Sequence, residues 1–157
     1  DKYRSVVGDC LELQQIFHGT IAENILVGRD IDKNQLDFLI ELVGLKEFIY
    51  QLPEDMETML LPEGRGLSRK MAQAIILARA FVGDPQAMIL ENALQHLDMD
   101  VKARVKSYLF GGDWTLVMVT ADIDVIKQAS QVIVMDNGHL LYQGNQAGYQ
   151  DFLTLNP

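Results

Sequence analysis

Cysteine is nearly absent from this 157-residue chain: Cys10 is the only one, so an internal disulfide is excluded and a reducing compartment fits. Positive charge is scarce too. Thirteen Lys and Arg stand against 22 Asp and Glu, a formal net charge of -9. Phosphate backbones select for basic surfaces, so this balance argues against nonspecific nucleic-acid binding. Long apolar runs are missing. The longest, such as Ala74 to Ala78 and Leu116 to Val119, are core-sized, far below the roughly 20 residues that span a bilayer. The opening Asp1-Lys2-Tyr3-Arg4 leads into a strand-like segment and not into a signal peptide. Any membrane part of a machine this domain serves is expected elsewhere. Histidine is rare, and His18, His96 and His139 sit in separate contexts that read as surface.

What is present is enough for one domain with a core. Hydrophobic residues make up 48% and charged residues 22%, ordinary proportions for a soluble globular fold. Ser5 to Cys10 reads as a strand. Gly19-Thr20 offers an N-cap, and Glu23 completes a capping box for a short helix over IAENILVG. Leu36, Leu39, Ile40 and Val43 have helical spacing, and Gly44 stops that helix. Lys46 to Gln51 is another short helix, and Pro62 to Gly66 a loop. Ser68 is placed to cap a long helix running to about Val82. Ala87 to Leu90 is apolar without alternation, which predicts a central parallel strand. A helix over Val101 to Phe110, broken by Gly111-Gly112, leads to a second buried strand over Trp114 to Val119. Asp122 to Ser130 is a helix. Val132 to Met135, Asn137-Gly138 and Leu140 to Gln143 read as strand, tight turn and strand, and Gln146 to Leu155 as a last helix. The class is α/β with a largely parallel sheet, and the first third is mainly helical.

The stretch from Leu67 to Asp98 carries the chemistry. Leu67-Ser68-Arg69-Lys70-Met71 opens the apolar helix AQAIILARAF. Gly83-Asp84-Pro85 follows, then the strand AMIL ending in Glu91-Asn92, then Leu97-Asp98. This order resembles the ATP-binding domain of ABC transporters, which write LSGGQ, a helix with A-L-A-R-A, G-D-P, a Walker B strand ending Asp-Glu, and a D-loop ending Leu-Asp. Phe17 to Ile25 is similar to the F-x-G-T-I-x-E-N-I of exporter-type members. Leu52-Pro53-Glu54 with Thr58, and Val132 to Gly138, are similar to two further strings of that group. The stretch LPED...T...LLPEGRGLS most resembles members that secrete proteins or toxins from bacteria.

The resemblance implies a P-loop NTPase-like parallel sheet with an inserted helical subdomain at about 20–85 and a C-terminal α/β core at 86–157. The Walker A string G-x-x-x-x-G-K-[ST], whose amides and lysine hold phosphates, is not found. In the family it lies upstream, so the chain reads as the C-terminal portion of a longer protein. The implied cofactors are ATP and Mg2+ in the intact protein. The implied partners are a second ATP-binding domain and a transmembrane domain, at the cytoplasmic face of the membrane.

Several site letters depart from the family. The Q-loop glutamine falls on Glu12, a carboxylate that suits magnesium but repels triphosphate, or is simply a solvated loop residue. Ser68 is kept. Arg69 and Lys70 replace two glycines, adding bulk and unfavourable positive charge at a helix N-terminus. They are either phosphate contacts or exposed first-turn residues. Glu91 replaces the magnesium-ordering aspartate; a salt-bridged or capping carboxylate is the plainer alternative. Asn92 replaces the glutamate that polarises the attacking water. An amide cannot accept its proton, and losing a positioned base costs about 10²- to 10⁴-fold in rate. Ala121 stands where the γ-phosphate-sensing histidine is expected. Asp98 matches the D-loop aspartate, or caps a helix starting near Val101. The expected function is ATP binding for export with weak or absent hydrolysis. The other readings are a structural or regulatory dimerisation module that docks a membrane domain, and a conventional active ATPase in which Glu91 and Glu12 take over.

Overall fold

An apolar strand without alternation is expected inside a parallel sheet, and Ala87–Glu91 lies there with a strand on either side. In the computed structural model, which describes residues 6–11 and 15–155, a three-stranded parallel sheet runs in the order β1-β4-β5. Strand β1 is Val7–Cys10, β4 is Ala87–Glu91 and β5 is Thr115–Val119. Val7 pairs with Ala87, and Ala87 in turn with Thr115. The chain forms two compact units, the first ending at Val119 and the second starting at Thr120.

Between β1 and β4 lies a mainly helical stretch. Strand β2 (Gly19–Thr20) pairs antiparallel with β3 (Met59–Leu60). Helix α1 (Ile21–Leu26) has the complete capping box: Glu23 N–H donates to Thr20 Oγ1 at 3.0 Å and Thr20 N–H to Glu23 Oε2 at 2.7 Å. Helix α2 (Lys33–Leu42) is capped by Asp32, and Gly44 follows it at φ +76°. A side chain there would strike Val101. Helix α3 is Lys46–Tyr50. Helix α4 (Arg69–Phe81) is capped by Ser68, whose Oγ accepts from Met71 N–H at 3.2 Å. It packs on β1 so closely that Gly8 lies against the Ala80 carbonyl. Buried Ile75, Leu77, Phe81, Met88 and Leu90 form the centre of this core. Helix α5 (Met99–Gly111) buries Val101, Val105 and Leu109, one residue per turn. It begins two residues before the expected Val101.

Strand β5 corrects an expectation. It is the edge of the sheet and half-exposed, with Val117 52% and Val119 58% accessible. Ile89 is the register partner of Val117, so one face of the sheet is open while Met88 and Leu90 are covered on the other. An apolar run reads the same whether one face is covered or two.

In the second unit, helix α6 covers only Ile123–Ile126, shorter than the predicted helix to Ser130. Gln128 and Ala129 continue with turns that bond three residues back. Strands β6 (Val132–Asp136) and β7 (His139–Gly144) form an antiparallel hairpin. Asn137 at φ +46° and Gly138 at φ +79° make its turn, as the Asn-Gly pair predicts. Helix α7 (Gln146–Leu155) places Tyr149 and Phe152 against Tyr142.

Candidate functional site

The candidate residues of the first unit cluster where α4 begins and β4 ends. Parallel strands deliver their C-terminal ends to one edge of a sheet, where α/β folds bind ligands. Glu91 is the last residue of β4, half-buried and in register with Val119. Asn92 turns the chain at φ +48°, a left-handed conformation that asparagine tolerates. Its backbone is tied on both sides. The N–H donates to Val119 O at 2.9 Å, and the carbonyl accepts from Gln73 Nε2 at 2.9 Å. The residue is exposed, so its carboxamide stands at the strand end in reach of solvent.

Ser68 and Arg69 are exposed at the start of α4, while Lys70 is half-buried. Lys70 Nζ lies 2.6 Å from Asp98 Oδ2. Asp98 stands at the N-cap of α5 with extended backbone, and its carbonyl accepts from Lys102 N–H at 2.8 Å. Its carboxylate makes no cap bond and goes to Lys70 instead. Among the candidate residues, the structure thus joins Lys70 to Asp98 directly, a contact the sequence does not predict. Ala121 lies in the second unit, exposed, beside Thr120, whose hydroxyl accepts from Asp122 N–H at 3.0 Å. Its methyl group has nothing to donate or accept. Glu12 lies outside the described residues. His18, His96 and His139 are all exposed, as expected.

Three side chains that tie the surrounding elements together were not singled out in the sequence. Gln73 reaches from α4 to the loop after β4 twice, because His96 N–H also donates to its Oε1 at 2.9 Å. Arg79 grips the segment before α1. Its guanidinium donates to Asn24 O at 2.7 Å, reaches Gln15 O, and stacks over Phe17 at 5.6 Å. Burial lowers its pKa. Asn24 is fully buried and satisfied by Phe17 N–H, Phe17 O and Thr20 O. Gln73 and Arg79 offered one signal, a polar letter between two alanines of a helix that is otherwise mostly apolar; Asn24, next to Glu23, offered none.

For a magnesium ion, the described residues hold no group of three or more His, Cys, Asp or Glu side chains. Magnesium beside a triphosphate is held by one or two carboxylates, the rest being phosphate and water oxygens. Glu91 at a strand end fits that use, and the described residues do not fit an all-protein metal cage.

No protein-family model matches the chain. It is similar to the transport/processing ATP-binding protein ComA of Streptococcus pneumoniae, 33% identical over 134 residues, covering 84% of this chain and 19% of that protein. It is also similar to the ATP-dependent lipid A-core flippase of Xanthomonas campestris, 33% identical over 144 residues, with 89% and 24% covered. The fold matches that of a bacterial Atm1-family ABC exporter with ATP bound, with a TM-score of 0.84 and 24% identity over 98% of this chain and 27% of that one. The chain therefore spans about a fifth to a quarter of the length of these curated relatives. No helix among the described residues is long and apolar enough to cross a membrane.

Proposed function

We propose, from the premise that the chain belongs to the ATP-binding domains of exporter-type ABC transporters, that it serves export across a membrane by binding ATP and hydrolysing it slowly. In this reading residues at about 20–85 carry the signature helix and 86–157 the rest of the α/β core. The domain pairs with a second ATP-binding domain and a transmembrane domain at the cytoplasmic membrane face. Protein or toxin is the proposed cargo, supported by the Leu52-Pro53-Glu54 to Ser68 stretch. Transport of a labelled peptide, set against labelled lipid, by the reconstituted full-length protein tests it.

Bound ATP and magnesium would supply the phosphoryl group and the divalent charge. Glu91 would hold the metal through its carboxylate, with Glu12 as a second ligand, and Ser68 would meet phosphate through its hydroxyl. Asn92 carries the case for slow hydrolysis. Its backbone bonds on both sides fix it at the end of β4. From there the carboxamide orients a water by hydrogen bonding but takes no proton from it. Ala121 offers no hydrogen bond to a terminal phosphate. Phosphoryl transfer depends on positioned charge, so these losses fall on the rate more than on binding. Single-turnover hydrolysis by the full-length protein, with and without a partner subunit, is expected to run at least about 10²-fold below an ordinary family member. A comparable rate overturns the proposal.

The second reading, a docking module indifferent to nucleotide, draws on one observation: Lys70 at the signature position is already paired with Asp98. Calorimetry of the full-length protein with ATP and magnesium separates the two. A dissociation constant above cellular ATP favours the docking module.

A further inference from the structure

We propose that Lys70 and Gln73 of α4 form a latch that pins the loop after β4, and that the ion pair within it withholds the Lys70 cation from phosphate. The two residues are three apart on one helix and so share a face. They hold the loop at its start, middle and end. Gln73 Nε2 donates to Asn92 O at 2.9 Å, His96 N–H donates to Gln73 Oε1 at 2.9 Å, and Lys70 Nζ meets Asp98 Oδ2 at 2.6 Å. Gln73 uses donor and acceptor at once, so the amide fits here and neither a carboxylate nor an ammonium replaces it. Both Gln73 bonds go to backbone atoms, so they fix the path of the loop whatever its side chains are.

The consequence lies in what the latch positions. The loop begins at Asn92 and ends at Asp98, so Gln73 and Lys70 are positioning residues for the strand-end carboxamide and for the start of α5. The Lys70–Asp98 pair has a second effect. A bare lysine at the head of α4 would attract a phosphate; one held at 2.6 Å by a carboxylate has spent that charge locally. Asp98 is then the side chain that keeps Lys70 turned toward its own chain. This second part rests on the nucleotide-binding reading above, while the latch stands on its geometry.

The test uses the full-length protein and two readouts. The first is hydrogen exchange over residues 92–98 without nucleotide. Gln73→Ala removes two hydrogen bonds and is expected to speed exchange roughly ten-fold. Lys70→Ala and Asp98→Asn each break a partly exposed ion pair and are expected to speed it roughly two- to five-fold. The charge-exchanged double variant, Lys70→Asp with Asp98→Lys, restores protection, and high salt erodes it in the native protein. Unchanged exchange in both Gln73→Ala and Lys70→Ala overturns the latch. Circular dichroism confirms that each variant is folded.

The second readout is calorimetric titration with ATP and magnesium. Asp98→Asn is expected to tighten binding by roughly two- to five-fold, and adding Lys70→Gln removes the gain. Faster exchange with no change in affinity overturns the shielding role and leaves the latch. A protein that binds no ATP in any variant counts against the nucleotide-binding reading, while the exchange result still decides the latch.

Discussion

Asn92 differs from glutamate by one methylene and by the group at its tip, and the second difference governs the chemistry. Backbone bonds hold the residue from both sides, at a φ of +48° that glutamate adopts at a cost of about 1 kcal/mol, small beside the change in chemistry. Asn92→Glu in the full-length protein is therefore expected to raise single-turnover hydrolysis by about 10²-fold while leaving ATP affinity within about two-fold. No gain in rate would show that Ala121 or the signature loop limits the reaction instead. Cys10 makes a different residue-scale prediction. Burial, with Asp9 adding to it, pushes its thiol from 9.0 up to about 12. The folded state holds the thiol proton more tightly than the unfolded chain does. That contribution to stability is fully present below pH 9 and is lost as pH rises toward 12. Alkylation at pH 8.5 is expected to be much slower in the native protein than in urea, and unfolding free energy to fall above pH 9. Equal alkylation rates would contradict the burial.

At the scale of elements, the first turn of α1 is closed by reciprocal bonds between Thr20 and Glu23. Thr20→Ala is expected to cost about 1 kcal/mol in urea unfolding. Gly8→Ala is expected to cost more, about 1 to 3 kcal/mol, since the added methyl meets the backbone carbonyl of Ala80 and no flexible side chain can yield. Elements whose cause is local were legible from the letters: the capping box of α1, the Ser68 cap of α4, the Asn137-Gly138 turn and the span of α7. Those set by tertiary partners were not. Val117 and Val119 promise burial by type, yet the face of the sheet they lie on is open, as Ile89 on the central strand also shows. Gln73 carries no mark in the sequence of the contacts it makes with Asn92 and His96, because loop and helix meet only in the fold. The site was legible as an order of motifs. Its wiring, above all the pairing of Lys70 with Asp98, depends on distances that spacing does not encode.

At the scale of the whole molecule, each unit shows apolar side chains to solvent. On the first, Ile89 and Val117 lie side by side with Val119 two residues on, all on the open face of the sheet. On the second, Ile133, Met135 and Leu140 are more than half accessible. Such exposed apolar side chains give a hydrophobic probe a place to bind. The isolated chain is expected to bind a hydrophobic fluorescent dye, and Val117→Lys to lower that signal with little change in urea midpoint. Unchanged dye binding would place the sticky surface elsewhere.

The pairing of Val7 with Ala87 also sets a timetable. When the ribosome has released β1, its neighbour β4 is still untranslated, and every helix from α1 to α4 emerges before it. These helices can gather from nearby contacts, but the sheet must wait for a distant one, and distant closures are slow. A pause in translation before Gln86 would thus leave a nascent chain with α1 to α4 present and its central strand missing, in a form that chaperones would be expected to hold.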